Sequence, residues 1–243
     1  MKRLLALAFF AGTALAADRP TPLKSGVEFT GADARALQAD EFANPGMLWV
    51  ARGEKLWSEP AGVSGKSCAD CHGDAVKSMK GVAARAVNLE GRIENCRTEH
   101  QQARAFEPES QELLSLSAYV AFQSRGMPIA IPGTADVQAS VERGREIYHR
   151  RMGQLNLSCS QCHDDHWGRK LAAETVSQGH PNGFPAYRLS WESVGSLARR
   201  IRACYSGIRA EMPEYGSPDL QDVQAYLAWR AQGLAMESPG VRR

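Results

Sequence analysis

The chain has 243 residues, 43% of them hydrophobic, and its 29 Lys and Arg against 27 Asp and Glu leave a formal net charge of +2. Charges this evenly balanced make no basic field for nucleic acid or an anionic membrane surface, so any anion the protein recognises has to be held locally. The length suits one large domain or two small ones, each with a modest core.

The first residues, "MKRLLALAFFAGTALAADRP", carry Lys2 and Arg3, an apolar run from Leu4 to Ala11, and small residues at Ala14, Ala16 and Ala17. This is a secretory signal with cleavage after Ala16 or Ala17, and its apolar part is too short to anchor in a bilayer. No later stretch approaches the roughly 18 apolar residues of a membrane span. The sequence therefore predicts a periplasmic protein without a membrane anchor, from which residues 1–17 are removed. Losing Lys2 and Arg3 brings the formal charge to zero. Residues 18–45 have little periodicity and read as an N-terminal extension.

From residue 46 the pattern changes. "GMLWVARGEKLW" (46–57) spaces its apolar residues three and four apart and predicts a helix; "CADCH" (68–72) follows it. "SAYVAFQSRGM" (117–127) predicts a second helix, ending near Gly126, since glycine takes the left-handed conformation at a helix end. "RGMPIAIPGTAD" (125–136), with its Pro and Gly, reads as a linker. The order then recurs: a helix in "ASVERGREIYHRR" (139–151), the motif "CSQCH" (159–163), and a closing helix in "QAYLAWRAQGL" (224–234) near Gly233.

Six cysteines in an exported chain would ordinarily pair as three disulfides. Here four of them sit in two C-x-x-C-H motifs, the haem attachment signature, in which two thiols add to the vinyl groups of one haem and the histidine becomes an iron ligand. On one turn of helix both sulfurs reach one porphyrin and the imidazole projects toward its metal. The expected cofactors are two covalently bound haem c groups, one on Cys68 and Cys71 with His72, the other on Cys159 and Cys162 with His163.

With the motifs superposed, "ARGEKLWSEPAGVSGKSCADCH" (51–72) lies on "ERGREIYHRRMGQLNLSCSQCH" (142–163) without a gap, at an offset of 91. Arg52 and Gly53 match Arg143 and Gly144, and Ser67 matches Ser158. Downstream, "SAYVAFQSRGM" matches "QAYLAWRAQGL" at an offset of 107. The chain reads as mainly α, with two tandem class I cytochrome c-type domains related by internal duplication. The expected boundaries are extension 18–45, first domain 46–127, linker 128–137 and second domain 138–243.

What faces the iron opposite each histidine decides between electron transfer and catalysis. "EGRIENC" (90–96) lies on "ARRIRAC" (198–204) at an offset of 108, which puts Cys96 on Cys204 and Arg92 on Arg200. Both leftover cysteines thus hold one position of the repeat, which favours His72 with Cys96 and His163 with Cys204 as axial pairs. A disulfide between the two, inert core thiols, or ligation by Met212 are the competing readings. Met212 has no methionine counterpart in the first repeat, and His100 rivals Cys96 there. His166 and His180 read as loop histidines, and Met212 as a residue packing near the haem.

"FANPGMLWVARGEKLW", "NLSCSQCHDDHWGRKL", "GFPAYRLSWESVGSLARRIRACYSGIRAEMP" and "YLAWRAQGL" together resemble the SoxA subunits of SoxAX cytochromes in their dihaem form, from about residue 42 to near the C-terminus. The resemblance implies an L-cysteine S-thiosulfotransferase that pairs with a SoxX-like monohaem cytochrome and joins thiosulfate to a cysteine of a SoxYZ-like sulfur carrier. Two electrons leave through haem toward a downstream cytochrome c. It puts the family's active-site cysteine, found as a persulfide, on Cys204, and its thiolate ligand of the first haem on Cys96. It also puts catalytic, substrate-binding arginines on Arg200 and Arg230. The residues are in keeping with that chemistry: thiosulfate is a small dianion, guanidinium offers it paired donors, and Arg199, Arg200, Arg202 and Arg209 crowd Cys204. A tetrathionate-forming thiosulfate dehydrogenase, a plain dihaem electron carrier and a dihaem peroxidase are the alternatives.

Overall fold

Two glycines explain how each half of the chain closes on itself. In the computed structural model, which describes residues 19–243, α2 (Met47–Ser58) crosses α7 (Gln111–Phe122), and α8 (Ala135–His149) crosses α11 (Pro218–Arg230). At the first crossing a Cβ on Gly53 would overlap the carbonyl of Ser115, and at the second a Cβ on Gly144 would overlap the carbonyl of Asp222. Only glycine lets backbones approach so closely. The arginine before each glycine then reaches an acid on the facing helix, Arg52 to Glu112 at 2.6 Å and Arg143 to Asp222 at 2.7 Å.

The haem motifs form single-turn helices, α3 (Cys68–His72) and α9 (Cys159–His163), and each begins with a reciprocal cap. Ser67 caps with Asp70 and Ser158 with Gln161, a capping box that fixes the first thiol of each motif at a helix start. Between motif and closing helix the halves diverge. The first holds three short helices, α4 (Ala75–Ser78), α5 (Val82–Arg85) and α6 (Leu89–Asn95). The second holds a hairpin of β1 (Lys170–Leu171) and β2 (Glu174–Thr175), the antiparallel pair β3 (Ala186–Arg188) and β4 (Ser193–Gly195), and α10 (Leu197–Gly207). The C-terminal strand β5 (Gly240–Arg242) adds to β3 in parallel, completing the sheet order β4-β3-β5.

The register change within the repeat has a local cause. After Cys96 the chain makes one π turn, Cys96–His100, in which the amide of Gln101 reaches the carbonyl of Cys96. The corresponding bond in the second half runs from Ile208 to Cys204, one residue shorter. One extra residue in the first half turns the offset of 108 at the cysteines into 107 beyond them.

Residues 19–45, including α1 (Ala32–Ala39), lie along the C-terminal part of the second half. Gln38 bonds Arg242 and Glu237, Asn44 bonds the carbonyl of Pro239, and Ser25 bonds Glu237. The Pro/Gly segment expected as a linker is less free than its composition implies. Ile129 and Ile131 are 6% and 8% exposed and belong to the main core with Tyr148, Leu220 and Tyr226. Ala83, Ala84 and Ala121 of the first half join that same core, so burial runs across the boundary. The expected signal segment, 1–17, lies outside the described residues.

Candidate functional site

Helix α10 is amphipathic: Ile201 and Tyr205 face the core, and Arg200 and Cys204, also four apart, share another face. Ser196 caps the helix by accepting from the amide of Arg199. The four arginines expected near Cys204 part company here. Arg199 lies over the Trp191 ring at 4.1 Å, Arg202 lies over Tyr215 at 4.3 Å and donates to the carbonyl of Pro213, and Arg209 is exposed. Arg200 is the one whose charge acts on Cys204.

A second guanidinium joins it from elsewhere in the chain. Arg188, the last residue of β3, has a side chain 7% exposed and pairs with Glu174 at 2.7 Å; Arg200 lies 3.7 Å from the other oxygen of the same carboxylate. No local signal marked Arg188, since it reaches Cys204 through sheet packing alone. His163 faces Cys204 from α9 within hydrogen-bonding reach. Burial raises the pKa of the Cys204 thiol, but the His163 hydrogen bond and the charges of Arg200 and Arg188 outweigh it and bring the thiol down to about 7. Cys159, close by, goes the other way: burial and the neighbouring sulfurs of Cys204 and Cys162 push it up to about 12.

The residues fit a covalently held haem. Among the described residues all six cysteines are free thiols, so neither motif is consumed by a disulfide and Cys96 is not bridged to Cys204. The imidazole of His163 has its Nδ1 2.7 Å from the carbonyl of Ser177, which puts the ring proton there and leaves Nε2 as the donor for a metal. Gly179 makes room for that ring, as a Cβ there would stand 3.1 Å from His163 Cγ. One nitrogen and one sulfur, on His163 and Cys204, are donors of the kind that could complete the coordination of a porphyrin iron.

Arg230 is placed differently from Arg200. It is 0% exposed, bonds Asp164, the residue after His163, at 2.5 Å, and lies over the Tyr148 ring at 4.6 Å. Its charge is already met, and it offers an entering anion no surface. Its repeat partner Gln123 bonds the carbonyl of Tyr119.

In the first half Cys96 is exposed, and its negative form, after burial, is the largest influence raising the pKa of the Cys68 thiol, so the two sulfurs are close. A cavity of about 230 Å³ lies against Cys68, lined also by Leu56, Arg97, Gln101, Phe106 and Leu116. Trp57 packs beside His72, ring centroids 5.7 Å apart, and donates to the carbonyl of Gly73. His100 is exposed at the end of the π turn, and His166 is exposed and bonded to the carbonyl of Gln161. His180 is a buried loop histidine: it bonds Gln178, and burial together with Arg230 and His163 holds its pKa down at about 3. Met212 is 46% exposed.

The SoxA/TsdA cytochrome c domain family model matches residues 52–129 and 143–236. The L-cysteine S-thiosulfotransferase subunit SoxA of Pseudaminobacter salicylatoxidans is 40% identical over 230 residues, 90% of this chain and 80% of that one. That of Rhodovulum sulfidophilum is 36% identical over 236 residues, 93% and 82% of the two chains. The crystal structure of SoxXA from P. pantotrophus superposes with a TM-score of 0.90 at 34% identity, covering 95% of this chain and 90% of that one.

Proposed function

The chain belongs to the SoxA/TsdA cytochrome c family, and from that premise we propose that it is an L-cysteine S-thiosulfotransferase subunit, which joins thiosulfate to a cysteine of a SoxYZ-like sulfur carrier. The reaction is a thiol plus thiosulfate giving the S-thiosulfonate, one proton and two electrons. One observation carries the assignment to a site: Cys204 faces the histidine of the second motif, with the guanidinium of Arg200 beside it on the same face of α10.

In this reading Cys68 and Cys71, and Cys159 and Cys162, would hold haem c groups, with His72 and Cys96, and His163 and Cys204, as the side chains that would ligate the iron. Bound there, haem supplies the one-electron acceptor. Arg200 binds the sulfonate oxygens through paired N–H donors and so orients the terminal sulfur toward Cys204. Cys204 is the reaction centre, as a thiolate or as its persulfide. His163 is kept in one tautomer by Ser177. Arg230 contributes through Asp164, holding the turn that follows His163. A SoxX-like monohaem cytochrome is the partner that takes the electrons and passes them to a downstream cytochrome c. No helix among the described residues is long and apolar enough to cross a membrane, and the N-terminal signal sends the protein to the periplasm.

The test is conjugation by the haem-loaded complex with its monohaem partner, read as the mass of the carrier protein. Cys204→Ala is expected to abolish the thiosulfonate adduct while both haems stay attached, and Arg200→Gln to raise KM for thiosulfate. An adduct still formed by Cys204→Ala would remove Cys204 from the reaction. Free tetrathionate with an unmodified carrier would make the protein a thiosulfate dehydrogenase instead.

A further inference from the structure

Arg188 is a buried cation with an unfilled donor. Its Nη2 bonds Glu174, but its Nε–H is buried and has no acceptor among the described residues. A buried guanidinium N–H without an acceptor carries the full cost of its lost water, so a second acceptor belongs at this position. The side chain is also fixed in place, 7% exposed with its guanidinium 5.1 Å over the Trp191 ring. Arg200 shows the complementary shortage: at 3.7 Å from Glu174 it is attracted to the carboxylate but beyond hydrogen-bond distance. One carboxylate is thus shared between two guanidiniums beside Cys204 and satisfies neither fully.

Glu174 sits where it can give way. It belongs to a short hairpin in which Lys170 pairs with Thr175 and Leu171 with Glu174, closed by two further backbone bonds, of Val176 with Gly168 and with Arg169, and its side chain is 40% exposed. So small a ladder holds its place weakly. Two cations and one carboxylate leave a net positive charge facing the thiol; with the carboxylate removed, the two cations match the charge of a dianion.

We propose that Arg188 is the second guanidinium of the oxoanion site at Cys204, and that Glu174 is its resident counter-ion, which keeps Arg188 and Arg200 paired and is displaced by the sulfonate end of thiosulfate. This rests on Cys204 as the reaction centre. Arg188 is then a substrate-binding residue and Glu174 a positioning residue that sets anion affinity by competing for the same donors. A haem propionate has the same acceptor chemistry as a sulfonate, and the test separates the two.

The experiment uses the haem-loaded complex with its partner, thiosulfate and the carrier, with sulfate as competing anion. Arg188→Gln is expected to raise KM for thiosulfate about tenfold or more, the size of a lost charge-assisted bond, with a smaller change in kcat and no change in the Soret band or potential of the second haem. Arg188→Lys, which keeps the charge and loses the fork, should recover part of that KM and gives the readout if the Gln variant folds poorly. Glu174→Gln is expected to lower KM and to lower the inhibition constant of sulfate, and Glu174→Asp to restore both. A shifted haem potential with an unchanged KM in Arg188→Gln would give Arg188 to a propionate and overturn the proposal. A raised KM in Glu174→Gln would make Glu174 a brace and overturn its part. Full activity in Cys204→Ala, measured alongside, would instead remove the site on which both stand.

Discussion

A guanidinium with no exposed surface has to be neutralised where it stands, and Arg230 is neutralised by Asp164, which also accepts a hydrogen bond from the hydroxyl of Tyr148 at 2.9 Å. Removing the cation leaves a carboxylate in a largely enclosed position with one neutral partner. Arg230→Gln is therefore expected to lose roughly 3–5 kcal/mol of unfolding free energy, measured by urea denaturation of the haem-loaded protein. Adding Asp164→Asn should recover part of that loss, because the two residues act as one pair. If the single and double variants are equally unstable, the pair is not what holds this corner. At this scale the sequence was informative only where partners are near in the chain. Arg200 was legible because it stands four residues before Cys204 on one helix. Arg188 and Glu174 were not, because short strands bring them in and neither strand has a periodicity long enough to read. Arg230 was legible as an arginine of interest, but its partner Asp164 lies 66 residues away, and nothing local says that its charge is already met.

At the scale of elements, the duplicated Arg-Gly pairs mark where helices cross. The glycine admits the facing backbone and the arginine ties the crossing to an acid, Glu112 in one half and Asp222 in the other. Gly144→Ala and Gly53→Ala each place a methyl group on a carbonyl of the facing helix, which neither rigid backbone can avoid without parting. Each is expected to destabilise by about 1–3 kcal/mol or more, read as a lower denaturation midpoint at unchanged slope. Gly133→Ala, where a Cβ meets nothing within 4 Å, should leave the midpoint in place. Two neutral results at the crossings would mean that the helices have slack there. The helices and their order were legible because their 3.6-residue periodicity is long and repeated, and the glycines showed as matched letters before any reason for them was visible. The π turn was legible only as a slip of the repeat from 108 to 107; its place, directly after Cys96, needed the backbone hydrogen bonds. The strands of the second half gave no such signal, being two or three residues each.

Across the whole molecule, the two halves are joined by contacts that neither could satisfy alone. Glu109 of the first half accepts from both the amide and the hydroxyl of Ser196, the cap of the helix that carries Arg200 and Cys204. Beside this clasp a small cavity of about 70 Å³ lies between the halves, lined by Ala83, Leu89, Ile129, Phe184 and Leu197, with Glu90 as the one acid on its wall. Burial holds the Glu90 carboxyl above its usual value of 4.5, and the nearby negative charge of Glu109 adds to the effect. The native state therefore keeps a proton that the unfolded chain gives up near pH 4.5. Stability from this group is full below that pH and is lost as pH rises from there toward the folded-state value. Glu90→Gln, which keeps the shape and removes the titration, is expected to be more stable than the parent at pH 7. Its advantage should shrink as the pH is lowered and vanish below about pH 4. Denaturation midpoints of both proteins across that range decide it: a constant difference would mean that Glu90 is solvated in the folded chain, and a deficit at neutral pH would mean that its charge is held by a partner across the seam. The prediction depends on the halves staying closed on one another, because an open seam would hydrate the carboxyl and remove the pH dependence at its source.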